Sequence, residues 1–238
     1  MNQNDPPKIV LGVAAHADDL DFGCAASLAK WAQDGADVHL LIVTNGDKGS
    51  ADANMTSEEL AKVRRLEQEN AGKIIGAKSI SYLNYEDGEL ELTLPLKKDI
   101  VRHIRKIKPD TVVTSDPTFI YSVEQGFLNH PDHRAAAQAT LDAIYPLARD
   151  RLSFPELLEE GYEPHKVKSI LLTSFTDGNY FVDVTKTIEL KKEALRSHFS
   201  QTPEFESIWD RIKKYAEKSG AKRGVQYAES FIRIDMFL

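Results

Sequence analysis

An alternation of strand-sized apolar runs with helical stretches limits this chain to few folds. Lys8 to Ala15 is nearly continuously apolar and leads into a polar turn, the pattern of a strand buried on both faces. Phe22 to Gln33, rich in alanine and leucine, reads as a helix that Asp34-Gly35 stops, because glycine turns left-handed without steric cost. Val38 to Thr44 is a second buried strand, followed by the turn Asn45-Gly46-Asp47. Thr56 offers an N-cap, and Glu59 completes a capping box for a helix from Ser57 to Ile75 that Gly76 stops. Ser79 to Leu83 (strand), Pro95 to Ile107 (helix, stopped by Pro109) and Asp110 to Ser115 (strand) continue the series. This order predicts a Rossmann-like, doubly wound α/β fold: a mostly parallel sheet with helices on both faces.

Beyond Ser115 the order loosens. Asp116 to Asn129 is a long polar and aromatic loop, a helix begins near Pro131, and Lys168 to Ser174 is another strand. Tyr180 to Val184, helices near Ile188 to His198 and Pro203 to Lys218, and a strand near Ala228 to Ile234 read as a C-terminal α/β elaboration. The 238 residues suffice for one well-buried domain. We expect a single unit over 1–238, with a core of about 8–175 and the elaboration over about 176–238.

Charge narrows the partners. A formal net charge of -7 disfavours a protein that grips phosphate backbones, which needs a basic face. Cys24, the single cysteine, allows no intrachain disulfide and reads as a small helix-packing residue. Met1 to Pro7 lacks the basic-then-apolar pattern of a secretory signal, and no apolar run approaches the roughly 20 residues of a membrane span. We expect a cytoplasmic protein with no membrane insertion and no nucleic-acid partner; a homo-oligomer stays open.

Histidines and aspartates carry the chemistry. His16, Asp18 and Asp19 follow the first strand, which borders the ligand crevice in an open α/β sheet. His130-Pro131-Asp132-His133 opens the helix after the Asp110 to Ser115 strand, at the same sheet edge. Pro131 suits the first helical position, and Asp132 suits the positive end of the helix dipole. Two imidazoles and one carboxylate suit zinc with a position left for water, and Asp18 with Asp19 offers one carboxylate to the metal and one to that water. A histidine outside the ligand set can stabilise an oxyanion or protonate a leaving amine. Each piece alone has a plainer reading: Asp-Asp as turn or cap, H-x-x-H as surface. His39, His103, His165 and His198 read as core-edge or surface residues. Two clusters at one edge of one sheet favour the metal.

On these residues the chain resembles the LmbE/PIG-L family of zinc-dependent N-deacetylases. Ala15-His16-Ala17-Asp18-Asp19 is similar to the family's A-H-P-D-D, and His130-Pro131-Asp132-His133 matches its H-P-D-H. Phe22-Gly23, Thr44-Asn45-Gly46-Asp47, Arg64 to Glu67 and Asp87-Gly88 have family counterparts, over about Ile9 to Ile144. The resemblance implies one LmbE-like deacetylase domain that hydrolyses an N-acetylglucosamine-like sugar or conjugate with one Zn2+ per chain. It implies His16, Asp19 and His133 as zinc ligands and Asp18 as general base. His130 becomes the transition-state stabiliser or acid, Asp132 its orienting partner, and Arg64 and Asp87 sugar contacts. Two positions depart from the pattern: Ala17 stands where proline is usual, and Leu128 where some members place a tyrosine. Tyr121, in the same loop, is a candidate replacement, and Phe119, Tyr121 and Phe127 offer a stacking wall for a sugar ring. The competing readings are a zinc amidase on a non-sugar amide, a two-histidine, one-carboxylate Fe(II) oxygenase and a non-catalytic glycan binder.

Overall fold

The computed structural model describes residues 6–123, 126–174 and 178–236. β1 (Ile9–Ala14) is followed by α1 (Asp19–Gln33), β2 (Asp37–Thr44), α2 (Ser57–Ile75), β3 (Ser79–Tyr85), α3 (Leu94–Ile107) and β4 (Thr111–Ser115). A small hairpin, β5 (Tyr121–Ser122) and β6 (Phe127–Leu128), leads to α4 (Pro131–Asp142) and the short α5 (Glu156–Glu159). β7 (Ser169–Thr173), β8 (Tyr180–Asp183), α6 (Ile188–Arg196), α7 (Phe205–Ala221) and β9 (Ala228–Asp235) complete the chain.

The main sheet has the order β3-β2-β1-β4-β7-β9-β8. β3, β2, β1, β4 and β7 run parallel, whereas β9 is antiparallel to both β7 and β8. Successive side chains of a strand point to opposite faces, so a strand covered on both sides must be apolar throughout. In β1, Val10 and Ala14 join the core beneath α1, α2, α6 and α7, while Leu11 and Val13 join the core beneath α3 and α4. The expected doubly wound sheet is therefore the fold.

Several local expectations shift. α1 begins at Asp19, three residues before Phe22, because the Phe22 N–H already bonds the Asp18 carbonyl at 2.9 Å. Asp116 to Asn129, expected as a loop, contains the β5–β6 hairpin, though residues 124 and 125 lie outside the described set. α7 runs to Ala221, and Ala143–Leu147 forms a π-helical turn that no sequence signal announced. The C-terminal strands extend the main sheet, and α6 packs on α1 and α2. The boundary expected near 175–176 falls on residues outside the described set.

Candidate active site

β1 pairs with β2 on one side and β4 on the other, so the chain leaves it in opposite directions and opens a crevice beyond the strands' carboxyl ends. Both histidine clusters face this crevice. His16 lies in the turn between β1 and α1. His130 caps α4 with its own ring: Nδ1 accepts the Asp132 N–H at 3.2 Å, and Pro131 fills the first turn, where no N–H is needed. The three rings form a triangle, with centroids 4.9 Å (His16–His130), 5.2 Å (His16–His133) and 5.4 Å (His130–His133) apart.

Among the described residues, two groups have donor atoms within 4.8 Å of one another: His16, Asp19 and His133, and His16, His130 and Asp132. Hydrogen bonding separates them. Asp132 is closed in, with Oδ2 accepting the Gly88 N–H at 2.7 Å and Oδ1 the Leu90 N–H at 3.3 Å. His130 uses Nδ1 on its own helix, which leaves an N–H at Nε2 on a ring that is 41% exposed. The first group is open by the same logic. Asn129 donates to the Phe119 carbonyl at 2.8 Å, so its Oδ1 accepts from His133 Nδ1 at 2.9 Å and His133 Nε2 faces Asp19 Oδ1 at 3.0 Å. His16 Nε2 lies 3.0 Å from Asp87 Oδ1 and 3.3 Å from Asp132 Oδ2, which turns Nδ1 toward Asp19 Oδ2 at 3.7 Å. Each imidazole is thus oriented by an acceptor on its far nitrogen, the outer-shell arrangement that metal-binding histidines require.

Charges in the cluster pull against each other. Burial works against a protonated His16, but its hydrogen bonds to Asp132, Asp19 and Asp87 outweigh that and push its pKa up to about 12. Burial and the neighbouring Asp19 charge push Asp18 up to about 7, with Arg64 opposing. Asp19 goes the other way: burial resists ionisation, yet His133 holds the carboxyl well below the usual range. Burial lowers His130, with the nearby His16 charge adding to it, so the ring stays neutral. The cluster attracts positive charge, and the donor set fits a divalent cation.

Arg64 and Asp87, read from sequence as sugar contacts, are both buried at the floor of the site. Arg64 donates to the carbonyls of Ala17 and Lys48 and to Asp87, at 3.1, 3.3 and 3.4 Å. Sequence reasoning missed Asn129, whose position directly before the His130 N-cap carries no signal by itself. It also missed a buried partnership. His198, expected at the core edge or surface, is fully buried and meets Asp21 at 3.0 Å, because α6 brings the C-terminal segment over α1. Tyr121 lies opposite Leu128 in the hairpin, and Phe119 stacks on Phe127 at 6.0 Å.

Comparison with known proteins fits this geometry. Residues 11–144 match the model of the PIG-L family, GlcNAc-PI de-N-acetylase. Diacetylchitobiose deacetylase from Thermococcus kodakarensis is 34% identical over 95% of this chain and 82% of its own length. The structure of the N,N'-diacetylchitobiose deacetylase from Pyrococcus horikoshii superposes with a TM-score of 0.89 at 31% identity, covering 99% of this chain and 88% of that one. The fold also carries other chemistry: the 4-carboxy-2-hydroxymuconate hydratase GalB from Pseudomonas putida superposes at 0.82 with 19% identity, covering 97% and 98% of the two chains. By its family match over more than half its length, and by its 34% identity to a deacetylase matched over 82% of that protein's length, the chain belongs to the PIG-L (LmbE-like) family of metal-dependent deacetylases.

Proposed function

We propose that the chain is a cytoplasmic zinc-dependent hydrolase that removes the acetyl group from the amine of an N-acetylglucosamine-like sugar or sugar conjugate. The carrying observation is a metal-capable set, His16, Asp19 and His133, with a separate buried carboxylate, Asp18, in the same turn. A metal held by these three residues would supply a Lewis acid that polarises the amide carbonyl and lowers the pKa of water to about 7.

The protein's own groups do the rest. Asp18 takes a proton as water adds to the acetyl carbon, a step its raised affinity for protons suits. His130 offers its Nε2–H to the carbonyl oxygen as negative charge develops there. Asp132 steadies both histidines, holding His16 through its carboxylate and His130 through its backbone N–H. The C–N bond then breaks, the proton on Asp18 passes to the departing nitrogen, and acetate and a free amine remain. Arg64 and Asp87 meet the sugar at the floor of the site, where a hydroxyl can replace a bond that now closes on protein. The hairpin aromatics Phe119, Tyr121 and Phe127 form the wall against which the ring stacks. Among the described residues, no helix is long and apolar enough to cross a membrane.

The test is acetate release from a panel of N-acetylated sugars by metal-analysed protein, with and without chelator. Chelator-sensitive release restored by zinc is the expected result. Metal-loaded protein that releases nothing from any sugar would move the substrate to non-sugar amides, and protein that binds no metal would overturn the proposal.

A further inference from the structure

The peptide that joins Ala17 to Asp18 is held at both ends by one helix. Its carbonyl accepts from Arg64 Nη2 at 3.1 Å, and its N–H donates to Gln68 Oε1 at 2.9 Å. Arg64 and Gln68 stand four residues apart on α2, so they share a face, and both are buried. The held peptide leads into Asp18 at φ 87°, a conformation that a non-glycine residue keeps only when its surroundings enforce it.

Gln68 is itself locked. Its Nε2 donates to Asp21 Oδ2 at 3.0 Å, and the same oxygen lies 3.0 Å from His198 Nε2. The adjacent Glu67 accepts the N–H and hydroxyl of Ser200 at 2.8 and 2.7 Å, which ties α2 to the segment after α6. The C-terminal part of the chain thereby reaches the catalytic turn through two side chains, Asp21 and Gln68.

We propose that Gln68 is a positioning residue: by clasping the Asp18 N–H while Arg64 clasps the Ala17 carbonyl, it sets the peptide plane that aims the Asp18 carboxylate at the attacking water. The inference rests on the reading of Asp18 as general base. Asp18 and Asp19 are neighbours with different tasks, so rotation of this one peptide plane misdirects Asp18 while leaving the Asp19, His16 and His133 donor set in place. A displacement of about 1 Å at such a group costs on the order of 100-fold in rate.

A double-mutant cycle separates positioning from mere support of the fold. Gln68→Leu is made in the wild-type and Asp18→Ala backgrounds, with bound metal and thermal unfolding measured on each. In the wild-type background kcat should fall roughly 10- to 100-fold, with KM and metal content unchanged. In the Asp18→Ala background the same substitution should leave the residual rate unchanged, since no base remains to be aimed. The pair Gln68→Glu with Asp21→Asn keeps an acceptor for the Asp18 N–H and reverses the Asp21 contact, with the neutral His198 tautomer turning Nε2 into an acceptor for the new amide; it should retain most of the wild-type kcat, and it stands in should Gln68→Leu fail to fold. Equal losses in both backgrounds, loss of metal together with kcat, an unchanged kcat in Gln68→Leu, or an inactive but folded Gln68→Glu/Asp21→Asn would overturn the proposal. Near-full turnover by Asp18→Ala alone would instead sink the general-base reading, and this inference with it.

Discussion

Charge is buried at the start of α1 and again just past its middle, and the two places treat it differently. Toward the C-terminal half, Lys191 and Glu229 meet one to one at 2.5 Å, and the second Glu229 oxygen accepts the Ser27 N–H at 2.7 Å. That N–H follows the kink at Cys24, which the helix ladder leaves in need of a partner. Each charge there has its complement, and the pair is complete. At the N-terminal end, Asp18, Asp19, Asp87 and Asp132 converge on His16, His133 and Arg64. Burial there works against a charged His16 but is outweighed by its aspartate hydrogen bonds, so His16 binds its proton tightly, while burial together with the Asp19 charge makes Asp18 ionise late. A closed ion pair holds the fold together, whereas an unbalanced cluster keeps an unmet demand for positive charge, which a metal and a transferable proton can satisfy.

Four substitutions test that contrast. The largest effect is expected at Asp19→Ala, which removes a carboxylate from the metal-capable set: bound metal should drop to background by elemental analysis, and acetate release with it. Protein that keeps its metal and its turnover would mean the metal lies elsewhere. Asp18→Asn should lower kcat by about 10²- to 10⁴-fold, with metal content kept. Its melting temperature should hold or rise, because a buried like-charge neighbour of Asp19 is gone; a clear drop in melting temperature would make Asp18 a structural residue. Asn129→Ala frees the His133 ring and should weaken metal affinity roughly 10- to 100-fold in a competition titration with a chelating dye. Unchanged affinity would show that the ring is held by packing. Glu229→Leu should do the reverse of Asp18→Asn. It leaves Lys191 buried without its partner and should destabilise the fold by about 3–5 kcal/mol in denaturant unfolding, with kcat per folded molecule unchanged. A turnover defect at this distance would join the two places into one device.

Legibility followed the range of the interaction. The two short motifs around His16 and His130 were readable because their parts lie within a few residues and on predictable strand ends and helix starts. The covered parallel sheet was readable because strands apolar on both faces can only be interior ones, whereas the order of its strands came from the fold. Partners joined across long separations were not readable. His198 meets Asp21 across 177 positions, and Lys191 on α6 meets Glu229 on β9 across 38, with α7 between them. Asn129 failed for another reason: an asparagine before a histidine-rich turn is ordinary loop chemistry until Phe119 fixes which way its amide points. The family resemblance singled out Arg64, but its burial and its grip on the Ala17 carbonyl were not readable.

The order of residues along the chain was enough to read the alternating α/β layers, the crevice edge on which the histidines and aspartates gather and the two short motifs that carry the family resemblance. These depend on local periodicity and short spacings, which a linear pattern records. Only the tertiary fold decided which nitrogen of each imidazole faces Asp19, why adjacent Asp18 and Asp19 ionise so differently, and how the C-terminal segment reaches the catalytic turn through Gln68. Those depend on dielectric surroundings and on hydrogen-bond partners that the backbone brings together from far apart in sequence.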